Sequence, residues 1–108
     1  MTANNTNENI EVINNRAQNR YEVKVGNEVA VIIYEPGENS ITFLHTEVPP
    51  ALEGQGLASK LAKFALEDAR AQHLSVTPLC PFVASYIRRH PDYMSLLPES
   101  EQKRIAKG

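Results

Sequence analysis

The segment from Val48 to Ser59, VPPALEGQGLAS, has the residue types of a loop that binds a phosphate. It joins an apolar run to a run with helical spacing. The first backbone N–H groups of a helix have no intrahelical partner and lie at the positive end of its dipole, so they bind anions. Glycines let the backbone approach such an anion without a Cβ in the way. The residues predicted to bind in this way are Gly54, Gln55, Gly56, Leu57, Ala58 and Ser59. The alternative is an ordinary strand–helix loop that needs glycine only for its turn.

Cys80 is the single cysteine of the chain, which excludes an intramolecular disulfide and any multi-cysteine zinc site. Pro81 follows it, and proline is favoured at the first position of a helix. Cys80 is therefore expected at the N-cap, where the helix dipole stabilises a thiolate. The alternative is a small buried apolar residue at the end of a strand, which is how most lone cysteines behave.

His45 and Glu47 lie two residues apart on a predicted strand, so their side chains face the same side. If that side borders a cleft, either group could accept a proton from an ammonium, directly or through water. The structural alternative is a histidine bonded to a backbone carbonyl and an exposed glutamate. The three histidines of the chain have no metal-ligand spacing, so no metal site is predicted.

Arg88, Arg89 and His90 end the second predicted helix, with Tyr86 one turn earlier. Cations at a helix C-terminus are stabilising without any function. Arg89 could also bind a phosphate of a ligand, and Tyr86 could stack on the ligand or pack in the core.

Hydrophobic periodicity predicts the strands and helices that must position these groups. A strand, a Gly26-Asn27 hairpin turn and two further strands form an antiparallel meander, followed by a helix, a strand and a second helix. We expect α+β architecture, with strands clustered first and one crossover later. The predicted strands are 20–25, 29–34, 41–48 and 73–79, and the predicted helices are 57–72 and 81–90.

Length and charge limit the classes of function. The 108 residues suit one domain, expected over 10–98, between a disordered tail at 1–9 and a polar tail or short helix at 99–108. The net charge of -2 provides no global positive field, so no nucleic-acid partner is predicted. No membrane-spanning run or signal peptide is present in the sequence, and the expected location is the cytoplasm.

Four segments together resemble the small stand-alone proteins of the GNAT acetyltransferase superfamily, of about one hundred residues. The segments are His45-Thr46-Glu47-Val48-Pro49, the loop Glu53-Gly54-Gln55-Gly56-Leu57-Ala58, Pro78-Leu79-Cys80-Pro81-Phe82-Val83 with Tyr86, and Arg89-His90-Pro91-Asp92-Tyr93. Glu53 stands where the superfamily loop usually has glutamine or arginine.

The resemblance implies a compact GNAT-like fold in which a splayed strand pair admits the pantetheine arm of acetyl-CoA. The glycine loop would bind the pyrophosphate, and backbone groups of Thr46 and Val48 would bind the arm. The N–H of Val48 would polarise the thioester carbonyl. Pro49-Pro50 and Pro78 remove backbone donors where the two strands would separate.

The resemblance further implies an acetyl-CoA-dependent N-acetyltransferase that acts on an amine of a small molecule or a protein, as a monomer or weak dimer. Cys80 would be a nucleophile, an acid toward the departing CoA thiolate, or a wall of the pocket. A non-catalytic acyl-CoA-binding module on the same fold is the alternative, because Gly26-Asn27 leaves no room for the helix pair that helps build the acceptor site in larger enzymes. A redox role for Cys80 would require a partner thiol.

Overall fold

The computed structural model describes residues 10–107 and shows the predicted α+β architecture. Short 3₁₀ segments at Pro50–Leu52 and Pro91–Leu96 join some of its elements. The strands are β1 (Val12–Asn15), β2 (Arg20–Val25), β3 (Glu28–Gly37), β4 (Ser40–Glu47) and β5 (Ser75–Pro78). The helices are α1 (Leu57–Ala71), α2 (Pro81–Arg89) and α3 (Glu99–Lys107). The tail predicted at 1–9 lies outside the described residues.

The five strands form one mixed sheet in the order β1-β2-β3-β4-β5. Neighbours from β1 to β4 are antiparallel, whereas β4 and β5 are parallel because α1 makes the crossover between them. The hairpin between β2 and β3 turns at Gly26, whose φ of 61° is the left-handed value that glycine adopts without strain. The Gly26-Asn27 turn expected from the sequence is therefore present.

Strand β3 is longer than the sequence pattern indicated. It continues through Pro36 to Gly37, whereas the predicted strand ended at residue 34. Pairing with β2 ends at Ile33, so Pro36 faces a strand on one side only and its missing N–H leaves no gap in a ladder. The reversal is made instead at Glu38 and Asn39, and Asn39 takes a φ of 58°.

Helix α1 covers one face of the sheet, which we call the inner face. Its buried residues are Leu57, Leu61, Ala62, Ala65, Leu66 and Ala69. Small alanines let the helix approach the strands closely, while the leucines fill the space beside them. The Tyr21 hydroxyl of β2 donates a 2.6 Å hydrogen bond to Asp68 of α1 and fixes the two layers together. Burial and this bond raise the pKa of Tyr21, so the donor stays protonated.

The segment after residue 98 forms α3 and packs against the rest of the fold. Ile105 is only 1% exposed and belongs to the core. Arg88 donates to the Ile105 carbonyl at 3.3 Å, and Arg104 donates to the Pro78 carbonyl at 3.1 Å. These contacts join α3 to α2 and to the end of β5.

Candidate functional site

Strands β4 and β5 separate at the end of the sheet where the candidate residues lie. Their pairing runs from Ser40 opposite Ser75 to Phe43 opposite Pro78 and ends there, with a last 2.9 Å bond from the Cys80 N–H to the Phe43 carbonyl. Beyond Phe43, β4 continues to Glu47 paired with β3 alone. The β5 side of β4 is therefore a free edge over its last four residues, next to Cys80.

A β-bulge at Leu44 decides which side chains face the helices. Tyr34 lies opposite Phe43 and Ile33 opposite His45, so Leu44 is the extra residue on β4. One inserted residue exchanges the two faces of the strand beyond it. Thr46 consequently lies on the inner face, opposite the buried Ile32.

His45 and Glu47 share the outer face of β4, opposite to the face that α1 covers. The His45 Nε2 atom lies 3.1 Å from a carboxylate oxygen of Glu47, and each side chain is 60% exposed. The two residues therefore share a side, as the sequence spacing indicated, and this side is opposite to that of Thr46 and Cys80. Their assignment as proton acceptors stays a prediction.

Cys80 occupies the N-cap of α2 with an extended backbone (φ −68°, ψ 122°), as Pro81 indicated. Cys80 is 2% exposed, and its Sγ atom lies 3.1 Å from the Thr46 hydroxyl oxygen. The Cys80 side chain makes no capping bond to the first turn of α2. Cys80 is therefore buried at the end of a strand and also adjacent to the free edge of β4, so both interpretations of this cysteine describe its location.

The glycine loop has the backbone conformation of an anion-binding turn. Gly54 and Gly56 have φ values of 84° and 75°, and Gly56 is the N-cap of α1 with no side-chain capping bond. Among residues 10–107, no hydrogen bond uses the backbone N–H of any residue from Gly54 to Ser59. These six donors are directed at no protein acceptor, which fits a bound diphosphate.

A concavity of about 280 Å³ lies against this loop. Its walls join the predicted loop residues to Val48 from the end of β4 and to Phe82 from the first turn of α2. Glu53 lines the same concavity, whereas Gln55 and Cys80 do not. Phe82 was missed by sequence reasoning, although its position two residues after Cys80 places it in the first turn of α2.

Helices α1 and α2 both begin at this end of the sheet. Each follows one of the parallel strands β4 and β5 and runs back along the inner face. The positive ends of both helices therefore lie at the concavity beside the glycine loop, a favourable place for a negatively charged ligand.

Tyr86 and Arg89 lie further along α2, at a separate concavity of about 340 Å³ between α1, α2 and Pro91–Leu96. Tyr86 is 6% exposed, its ring centroid lies 4.1 Å from that of His90, and burial raises its pKa. The Tyr86 ring is therefore buried mostly by packing within the protein. Arg89 is exposed and faces the concavity.

The described part of the chain contains no helix long and apolar enough to span a membrane. Within that part, no three histidine, cysteine, aspartate or glutamate side chains are grouped so that they could bind a metal ion.

The strand order, the separated β4 and β5 and the glycine loop before α1 define a class of protein that comparison identifies. A family model described as GCN5-related N-acetyl-transferase matches residues 20–96. The chain belongs to this family, and the family indicated by the sequence motifs is confirmed.

Individual relatives are similar over most of their length. Protein NATD1 of Xenopus tropicalis is 31% identical over 85 residues, which cover 76% of this chain and 78% of that protein. Protein NATD1 of Homo sapiens is 32% identical over 85 residues, with 76% and 75% covered. The NMR structure of a GCN5-like protein from Staphylococcus aureus matches with a TM-score of 0.64 at 28% identity, covering 83% of this chain and 89% of that one. These matches confirm the predicted fold.

Proposed function

We propose that the chain is an acetyl-CoA-dependent N-acetyltransferase that transfers acetyl to an amine. The observation that supports this proposal most is the row of unbonded N–H donors from Gly54 to Ser59 beside the free edge of β4. A diphosphate requires such donors, and a pantetheine arm requires a strand edge with unused amide groups.

The acyl donor would be held at two places. The loop from Gly54 to Ser59 binds the diphosphate through backbone N–H groups, and the edge from Thr46 to Val48 binds the amides of the arm. The thioester supplies the acetyl group. The N–H of Val48, the residue after the last paired position of β4, donates to the thioester carbonyl, where a preorganised donor is worth a few kcal/mol.

The amine would approach from the outer face of the sheet. The Glu47 carboxylate attracts an ammonium there, and His45 beside it offers a second proton acceptor. Either group removes the proton that the amine must lose before it attacks. Because both side chains are well exposed, this side of the site is open to a small amine or to an amine on a protein surface.

We favour direct attack by the amine over transfer through Cys80. Cys80 is buried, and its thiol is bonded to the Thr46 hydroxyl. A thiol held in this way can donate a proton to the departing sulfur or form a wall of the pocket. A nucleophile would instead have to reach the thioester carbonyl. Cys80→Ala should then keep measurable turnover, reduced by about tenfold to a hundredfold if the thiol donates a proton. Trapping acetyl on Cys80 of the wild type, with complete loss of turnover in Cys80→Ala, would contradict direct attack.

CoA release measured over a panel of amines tests the proposed activity. The panel should contain polyamines, small primary amines, lysine peptides and peptides with a free N-terminus, and a Glu47→Gln variant should slow turnover on any amine that works. Binding of CoA without release on any amine would instead favour the non-catalytic binding module. The exposed His45 and Glu47 side chains and the short Gly26-Asn27 turn are consistent with that module.

A further inference from the structure

The concavity between α1, α2 and Pro91–Leu96 is lined by more cations than carboxylates. Lys63, Arg70 and Arg89 line it together with Glu67 and Asp92. This local excess of positive charge contrasts with the net charge of the whole chain, which is -2. A local positive surface on an acidic chain points to an anionic ligand.

One of the two carboxylates is already neutralised within the protein. Glu67 accepts a 2.7 Å bond from the Tyr93 hydroxyl and lies 3.4 Å from Arg70. Burial and the bond to Glu67 raise the pKa of Tyr93 to about 12, so its hydroxyl remains a donor at neutral pH. Arg70 is also held over the Tyr93 ring, with 4.9 Å from its guanidinium carbon to the ring centroid. Glu67, Arg70 and Tyr93 therefore interact with one another, and the charges of Glu67 and Arg70 offset each other.

The other two cations have no carboxylate partner in the described part of the chain. Arg89 donates only to the Ser85 hydroxyl, at 3.2 Å, and Lys63 takes part in no ion pair. Asp92 is the one opposing charge that is not neutralised, and its carbonyl rather than its carboxylate is the acceptor for Arg70. Lys63 and Arg89 are therefore available to a ligand from opposite helices.

The position of these two cations relates them to the glycine loop. Lys63 is one helical turn after Ser59 on α1, and Tyr86 is one turn after Phe82 on α2, so each step is about 6 Å along the helix. Ser59 and Phe82 line the concavity at the loop, whereas Lys63 and Tyr86 line the second one. The two concavities follow each other along the same side of α1 and α2.

We propose that Lys63 and Arg89 bind the 3′-phosphate of CoA and make the protein discriminate CoA from dephospho-CoA. The inference rests on the proposed function, because it takes the diphosphate to lie at the loop. The 3′-phosphate is one ribose away from that diphosphate, and it is a dianion that two cations from opposite sides can hold. The loop would then bind the part that both ligands share, and Lys63 with Arg89 the part that only CoA has.

The test compares the affinities of CoA and dephospho-CoA by calorimetry at low salt. The wild type should bind CoA about fivefold to tenfold more tightly, since exposed ion pairs are individually weak. Lys63→Gln with Arg89→Gln should reduce this ratio below twofold and change dephospho-CoA affinity by less than twofold. Lys60→Gln is the matched control, because Lys60 is on the same helix and does not line this concavity.

A second variant tests the sign of the charge effect. Asp92→Asn removes the opposing carboxylate and should raise the preference for CoA about twofold, an effect that higher salt diminishes. Equal affinity of the wild type for the two ligands would overturn this inference and leave the proposed function intact. Failure of both ligands to bind would overturn both.

Discussion

Glu53 provides a sharp test of where the diphosphate lies. It is exposed, lines the concavity at the glycine loop and immediately precedes the six unbonded N–H donors. If the diphosphate occupies that loop, the carboxylate of Glu53 repels it. Glu53→Gln should therefore strengthen CoA binding, although it removes no contact and adds no cation.

The size of the effect follows from the geometry of the chain. Gly56 is three residues from Glu53, so the two lie within about 10 Å of each other. Two unit charges at that separation interact by about 0.4 kcal/mol in water, and a diphosphate has two charges, which gives about 0.8 kcal/mol or about fourfold in affinity. Screening reduces this gain to less than about twofold at physiological ionic strength, where the Debye length is about 8 Å.

The assay is calorimetric titration of CoA into wild type and Glu53→Gln at several salt concentrations. Glu38→Gln is the control, because it removes the same charge from the turn before β4. The length of β4, about 23 Å, separates that turn from the glycine loop. The reasoning is refuted if Glu53→Gln leaves CoA affinity unchanged at low salt, or if Glu38→Gln strengthens it as much.

Three further changes test the fold around the site. Glu22 is buried on β2, and although burial itself raises its pKa, the bonds from Arg20 and Asn15 outweigh this and hold the pKa below its usual range. Its ionised form therefore stabilises the fold above a pH of about 4–5 and this stability is lost as the pH falls through the lowered pKa. Glu22→Gln should lower the free energy of unfolding at pH 7 by about 1.5–3 kcal/mol and flatten its acid dependence in urea titrations, and an unchanged acid slope would contradict this. Gly56→Ala places an alanine in the left-handed backbone region, where its Cβ meets no other atom. It should lower the free energy of unfolding by about 1–2 kcal/mol. No loss of stability would mean that the loop adopts another conformation. Ile105→Ala should lower it by about 2–5 kcal/mol, as expected for a core residue, and an effect below about 0.5 kcal/mol would show that α3 does not pack as described.

Local patterns in the sequence were enough to predict the elements that surround the site. Alternating residues identified β2, the spacing of leucines and alanines identified α1, and Gly26-Asn27 identified the hairpin between β2 and β3. These signals are short-range, because turn chemistry and amphipathic periodicity depend on neighbouring residues. The family motifs added the separation of β4 from β5.

The bulge at Leu44 could not be predicted, and it is the feature that arranges the site. Leu44 is a common strand residue, and nothing in its neighbours indicates an inserted position. The bulge nevertheless places Thr46 beside Cys80 and puts His45 with Glu47 on the outer face. Pairing register of this kind depends on contacts between strands rather than on local sequence.

Long-range packing explains the other differences. Residues 99–108 are mostly polar, so the sequence alone indicated no more than a tail or a short helix, yet Ile105 is buried against the rest of the fold. The place of Lys63 opposite Arg89 depends on how α1 and α2 pack, which no local sequence pattern indicates.

The most direct test of the central claim is a titration of isotope-labelled protein with CoA, followed through the backbone amide resonances. We expect the largest shifts at Gly54 to Ser59 and at Thr46 to Val48, with the β3–β4 turn at Glu38 and Asn39 unaffected. No shift of the loop amides at millimolar CoA, or shifts confined to other parts of the sheet, would contradict the account.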